Sequence, residues 1–240
     1  MISPIFTEIC PWDRRYVLFS TILFDLDGTL LDTSPGIFAT ANHTMYELGY
    51  DPIPPNELRT FVGPPLVDCF RIAARLPEQH LSQAITIFRK KYAEGGMFDA
   101  TIYEGMPEVL TELKAKGCAL GVATLKHEGV AREVLDHFGL CPHMDTLAGS
   151  DDSGRMTKGD IIKMALGRMG ITDFSTVVMV GDTQLDLQGA LDAKVAFIGV
   201  DYGFGFPLGH TLPDAAGMLG MVRKPLDILT LLDNRISCDQ

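Results

Sequence analysis

The sequence predicts an α/β fold, a Rossmann-like parallel sheet core covered by helices on both faces, with an all-helical cap inserted after the first strand. Three observations carry this expectation. Apolar, β-branched runs recur along the chain and alternate with stretches of helical periodicity, as in a sheet buried on both faces. The alternation breaks once, between residues 34 and 100, where helical patterns follow one another without a convincing strand. Acidic residues come directly after two of the apolar runs, at the strand ends where open α/β sheets hold their ligands.

In chain order, residues 17–25 are β-branched and aromatic-rich and stop at an Asp-x-Asp-Gly turn, which predicts a buried strand. Ser34-Pro35 reads as an N-cap followed by proline at the first helical position. Ile37, Ala41, Thr44, Met45 and Leu48 follow at helical spacing until Gly49. Leu81, Ile85, Phe88 and Tyr92 form a second such stripe, closed by Gly95-Gly96. Further strands are expected at 119–124, 146–149, 176–181 and 195–200, and helices at about 107–116, 128–138, 160–169, 186–192 and 225–233. The expected organisation is a core of residues 1–33 and 101–240 and a helical cap of residues 34–100. Residues 1–15, with the only tryptophan, Trp12, read as an extra arm.

A chain of 240 residues, 46% hydrophobic, buries enough surface to fold without disulfides or a structural metal. The net charge of −11, from 20 basic and 31 acidic residues, opposes a nucleic-acid or anionic-membrane partner. It does not oppose a small phosphorylated ligand, which needs only local cations or a metal. Five scattered cysteines without a C-x-x-C pair read as reduced thiols of a cytoplasmic protein. Arg14 and Arg15 follow the first apolar stretch instead of preceding it, the reverse of signal-peptide order. The longest apolar run, residues 16–24, is too short to span a bilayer.

The chemistry-bearing residues cluster at the expected strand ends. Asp25 and Asp27 stand two apart, and like charges so close call for a cation or a proton between them. Gly28 then lets the backbone turn sharply and approach a ligand. Asp-x-Asp-Gly by itself reads equally well as an ordinary turn. Asp182 and Asp186 follow the strand at 176–181; Asp186 also fits an N-cap or first-turn acid. Oxygen ligands without histidine or cysteine suit Mg²⁺ better than zinc. Thr124 ends one strand and Lys158 begins a helix, and together a hydroxyl and an ammonium make a phosphate cradle. No G-x-x-x-x-G-K-[ST] loop occurs, and Gly203-x-Gly205 lacks the rest of a dinucleotide fingerprint.

Phe24-Asp25-Leu26-Asp27-Gly28-Thr29-Leu30-Leu31-Asp32-Thr33, Thr124 with Lys126, Lys158, and Gly181-Asp182 with Asp186 occur in an order and spacing that resemble the haloacid dehalogenase-like hydrolases, specifically their phosphoglycolate-phosphatase-like branch with a helical cap. The similarity covers roughly residues 19–234. Phe61-Val62-Gly63-Pro64-Pro65-Leu66 resembles that branch's substrate-side loop, and residues 199–205 its post-strand loop. Leu125 and Gln184-Leu185 depart from the usual fillings without removing a reacting group.

The resemblance implies a Mg²⁺-dependent phosphatase acting on a small phosphorylated metabolite, such as phosphoglycolate, a nucleoside monophosphate or a sugar phosphate. Asp25 is then the nucleophile and Asp27 the acid and base. Asp25, Asp182 and the main-chain carbonyl of Asp27 hold the metal, Thr124 and Lys158 hold the phosphoryl oxygens, and Asp186 supports the metal or Lys158. Gly63, Pro64 and Pro65 meet the substrate. Arg59, Arg71, Lys90 and Lys91 are cap cations that either reach a second anionic group of the substrate or remain solvated. A halide leaves without a proton, so Asp27 and Asp182 favour phosphatase over dehalogenase. A phosphomutase of the same superfamily is the alternative enzyme, and an inactive small-molecule-binding regulatory domain the alternative of another class. A monomer or homodimer is expected.

Overall fold

The computed structural model describes residues 18–151, 155–212 and 217–233; the expected arm at 1–15 lies outside them. Six strands form one parallel sheet: β1 (Thr21–Phe24), β4 (Ala119–His127), β5 (Thr146–Ser150), β6 (Val177–Gly181), β7 (Ala196–Val200) and β8 (Met218–Val222). Their spatial order is β5-β4-β1-β6-β7-β8, so β1 lies in the middle, with β4 on one side and β6 on the other. Two short strands, β2 (Leu31–Asp32) and β3 (Thr101–Ile102), pair antiparallel as a separate ribbon.

Alternate residues of the central strands feed opposite faces, as the strand period requires. Ile22, Phe24, Val178, Val180, Ile198 and Val200 pack on one face, against α5 (Met106–Ala115), α6 (Glu128–His137) and α9 (Asp227–Leu232). Leu23, Val177, Met179 and Phe197 pack on the other, against α7 (Lys158–Arg168) and α8 (Gln184–Ala193). Both faces are therefore covered, as the sequence predicts.

Between β2 and β3 the chain is helical: α1 (Ser34–Glu47), α2 (Pro55–Leu58), α3 (Leu66–Asp68), which passes into a π turn at Cys69–Ala73, and α4 (Glu78–Ala93). Ile37, Ala41, Thr44 and Met45 are buried on α1 and Leu81, Ala84, Phe88 and Tyr92 on α4, close to the expected stripes. Phe61, Phe70, Phe88 and Tyr92 make a continuous run of ring contacts, at 5.3, 6.0 and 5.3 Å between successive centroids.

Several boundaries differ from expectation. β1 is shorter than residues 17–25; Ser20 and Asp25 still bond to β6 or its approach through main-chain hydrogen bonds. The α7 and α8 helices begin about two residues early, because Thr157 and Thr183 cap them and reciprocal bonds from Asp160 and Asp186 complete the capping boxes. Polar capping residues carry no apolar period, so the pattern cannot mark them. The edge strand β8 has no counterpart among the expected strands: its register shifts against β7 between Phe197 and Ile198, and Gly220 interrupts it.

Candidate active site

The carboxyl edge of the sheet gathers the charged residues. The main-chain N–H of Asp25 donates to Val180 O at 2.9 Å, tying the end of β1 to the end of β6, one residue before Gly181-Asp182. Thr157 caps α7, so Lys158 opens that helix, with its side chain only 3% exposed. Its Nζ lies 2.6 Å from Asp25 Oδ1 and 2.6 Å from Asp186 Oδ1. The other oxygen of Asp186 accepts from Thr183 N at 3.0 Å and Thr183 Oγ1 at 2.6 Å. A local device that starts a helix thus also aims Asp186 at Lys158.

Asp182 is fully buried. Its Oδ2 accepts from Phe204 N at 2.7 Å and Gly205 N at 3.4 Å, and Thr29 Oγ1 reaches Oδ1 at 3.5 Å. Gly28 is required here: its φ is 84°, and a Cβ on it would stand 2.3 Å from Asp182 Oδ2.

Oxygens of Asp25, Asp182 and Asp186 lie within 4.8 Å of one another, all three residues buried. Burial raises the Asp25 pKa to about 7; the charges of Asp186 and Asp27 add to this and Lys158 opposes it. Asp182 is raised well above its ordinary value by burial and by the charges of Asp186 and Asp25. Lys158 is held charged: burial works against the ammonium, and Asp186 and Asp25 together outweigh it. The set contains hard oxygens only, both oxygens of Asp186 are already bonded, and the repulsion among the carboxylates is what a divalent cation relieves. The residues fit such an ion.

Asp27 is held separately. Lys126 Nζ donates to its Oδ1 at 2.9 Å and Oδ2 at 3.0 Å, and Thr33 Oγ1 donates to Oδ1 at 2.7 Å. β1 ends at Phe24, so strand periodicity does not extend to Asp27, which turns to a lysine of its own. Lys126 also donates to Tyr92 Oη on α4 at 3.1 Å. In the sequence Tyr92 is legible only as one position of a core stripe.

Thr124 is buried in β4, two residues past Val122, the register partner of Phe24, and its Oγ1 accepts from Lys126 N at 3.2 Å. Gly63 has φ 104°, and a Cβ there would lie 3.0 Å from Thr183 Cγ2, so the Gly63-Pro64-Pro65 loop abuts the start of α8. Among the basic residues of the 34–100 stretch, Arg71 pairs with Asp68 and Glu78, and Lys91 with Glu94, on exposed helix faces. Arg59 instead lies over the ring of Phe204, 5.4 Å from its centroid, beside the loop that holds Asp182.

Fold and site together define an α/β protein with buried carboxylates paired with lysines at the sheet's carboxyl edge. Residues 22–200 match the model of the haloacid dehalogenase-like hydrolase family. A 5'-nucleotidase of Pseudomonas aeruginosa is 36% identical over 188 residues, covering 78% of this chain and 85% of that protein. A phosphoglycolate phosphatase of Aquifex aeolicus is 26% identical over 215 residues, covering 90% and 97%. The solved structure of protein tyrosine kinase A of Mycobacterium tuberculosis matches with a TM-score of 0.77 at 28% identity, covering 90% of this chain and 98% of that one. This chain spans 62% of the full-length kinase. The chain belongs to the haloacid dehalogenase-like hydrolase family, and within it is a phosphatase of the phosphoglycolate-phosphatase-like branch. No helix among the described residues is long and apolar enough to cross a membrane.

Proposed function

We propose that the protein is a Mg²⁺-dependent phosphatase that hydrolyses a small phosphorylated metabolite through an aspartyl-phosphate, with phosphoglycolate-like esters, nucleoside monophosphates and sugar phosphates as its substrate range. The observation that carries this reading is Lys158, bonded to Asp25 and Asp186 next to buried Asp182. Asp25, with Oδ1 fixed by Lys158, attacks phosphorus through its other oxygen as the ester P–O bond breaks. Asp27 gives its proton to the departing alkoxide. It then takes a proton from the water that attacks the aspartyl-phosphate, which releases phosphate and restores Asp25. Lys158 and Thr124 hold the phosphoryl oxygens where negative charge accumulates.

Asp25, Asp182 and the main-chain carbonyl of Asp27 would hold Mg²⁺, with Asp186 orienting Lys158. When bound, the ion supplies positive charge that lets an anionic carboxylate approach an anionic phosphate. Three buried carboxylates, Asp25, Asp182 and Asp186, face one lysine, Lys158, and a divalent cation makes up the difference. Residues 34–100 act as a cap that excludes water and selects the substrate, with Gly63, Pro64 and Pro65 on its inner edge.

The test is phosphate release from p-nitrophenyl phosphate and a metabolite panel, with Mg²⁺ or with EDTA, for wild type and Asp25→Asn. Turnover that needs the metal and disappears in Asp25→Asn supports the reading, and the panel ranks substrates. Undiminished turnover in Asp25→Asn defeats it.

A further inference from the structure

We propose that Tyr92 is a positioning residue, a hydroxyl carried by the inserted helices that aims Lys126, and through it Asp27, at the leaving group. The inference rests on the reading of Asp27 as the group that protonates that leaving group. An ammonium has three N–H donors and no acceptor. Those of Lys126 meet three oxygens: Asp27 Oδ1 at 2.9 Å, Asp27 Oδ2 at 3.0 Å and Tyr92 Oη at 3.1 Å. The ammonium is enclosed, its side chain 9% exposed, so a donor without an acceptor has little water to turn to.

Tyr92 and Asp27 therefore fix the rotation of one ammonium between them, and the carboxylate lies where that rotation holds it. The Tyr92 ring adds a second contact, with Nζ 5.0 Å from its centroid. Tyr92 is itself held rigidly, because it is buried and its ring stacks on Phe88 at 5.3 Å. The chain distributes the parts unevenly. Asp27 follows β1 and Lys126 belongs to β4, both in the sheet, whereas Tyr92 sits near the end of α4. Seating the helices on the sheet thus completes the lysine's set of acceptors, and with it the orientation of Asp27.

Two esters of similar size separate this role from a merely structural one. Benzyl phosphate releases an alkoxide that needs a proton, and p-nitrophenyl phosphate releases a phenolate that leaves without one. The quantity measured is kcat/KM, which covers the steps up to departure of the leaving group. Tyr92→Phe keeps the ring and removes only the hydroxyl. It is expected to lower kcat/KM for benzyl phosphate about tenfold and that for p-nitrophenyl phosphate less than about twofold. Lys126→Met is expected to shift the ratio in the same direction, and the double variant to shift it no further than Lys126→Met alone. Equal losses on both esters in Tyr92→Phe, or an unchanged ratio, overturn the inference. Asp27→Asn separates the two levels. If it loses benzyl phosphate selectively while Tyr92→Phe does not, only the inference fails. If it handles both esters as wild type does, the reading of Asp27 fails and the inference with it.

Discussion

The ammonium of Lys158 lies 2.6 Å from Oδ1 of Asp25, with both side chains at most 5% exposed. A pair so deeply buried depends on both members, because either one left alone is an uncompensated charge.

Lys158→Met should therefore destabilise the metal-free protein by about 3–5 kcal/mol at pH 8. The loss should shrink at pH 5, where Asp25 takes up a proton. Urea unfolding in EDTA at the two pH values measures this. Phosphatase turnover should fall by about a hundredfold or more.

The raised pKa of Asp25 fixes the sign of a pH dependence. Its folded value is about 7 against 3.8 unfolded, so the folded state binds the extra proton between those values. The associated stability is complete below pH 3.8 and is lost as pH rises through about 7. Its size is on the order of 4 kcal/mol. Calorimetry in EDTA should show the unfolding temperature reduced by this contribution as pH climbs from 5 to 8. Added Mg²⁺ should raise that temperature, and raise it more at pH 8 than at pH 5.

Gly28→Ala places a methyl group 2.3 Å from Asp182 Oδ2, well inside contact distance, and imposes a side chain at φ 84°. Expected are a loss of about 1–3 kcal/mol and a weaker apparent affinity for Mg²⁺. Titrating activity against Mg²⁺ tests the second point; an unaltered half-saturation would show that Asp182 is not a ligand.

Arg59 differs from its neighbours in reaching the loop at Phe204 instead of pairing along a helix. Arg59→Ala should raise KM about tenfold for substrates with a second anionic group. p-Nitrophenyl phosphate, which has none, should be turned over with an unchanged KM.

The middle of the sheet is legible in the sequence because β1, β6 and β7 are fully buried and their residues have no reason to be other than apolar. Asp25, Asp182 and Lys158 are legible because a strand end or a helix start confines the side chain that follows. Tyr92 has neither mark. A residue at helical spacing among Leu81 and Phe88 reads as core, and its body is core; only its hydroxyl does something else. Asp186 is ambiguous for a related reason. It serves the helix with one oxygen and Lys158 with the other, and a sequence records one letter for both roles. β8 is hidden by its shifted register and its glycine.

The β2–β3 ribbon sets Leu31 against Ile102 and Asp32 against Thr101, so the excursion through residues 34–100 departs and returns at one doorway. Whatever chain spans that doorway inherits the same two attachment points, and it is felt at the carboxylates through the side chains, Tyr92 among them, that reach back inside.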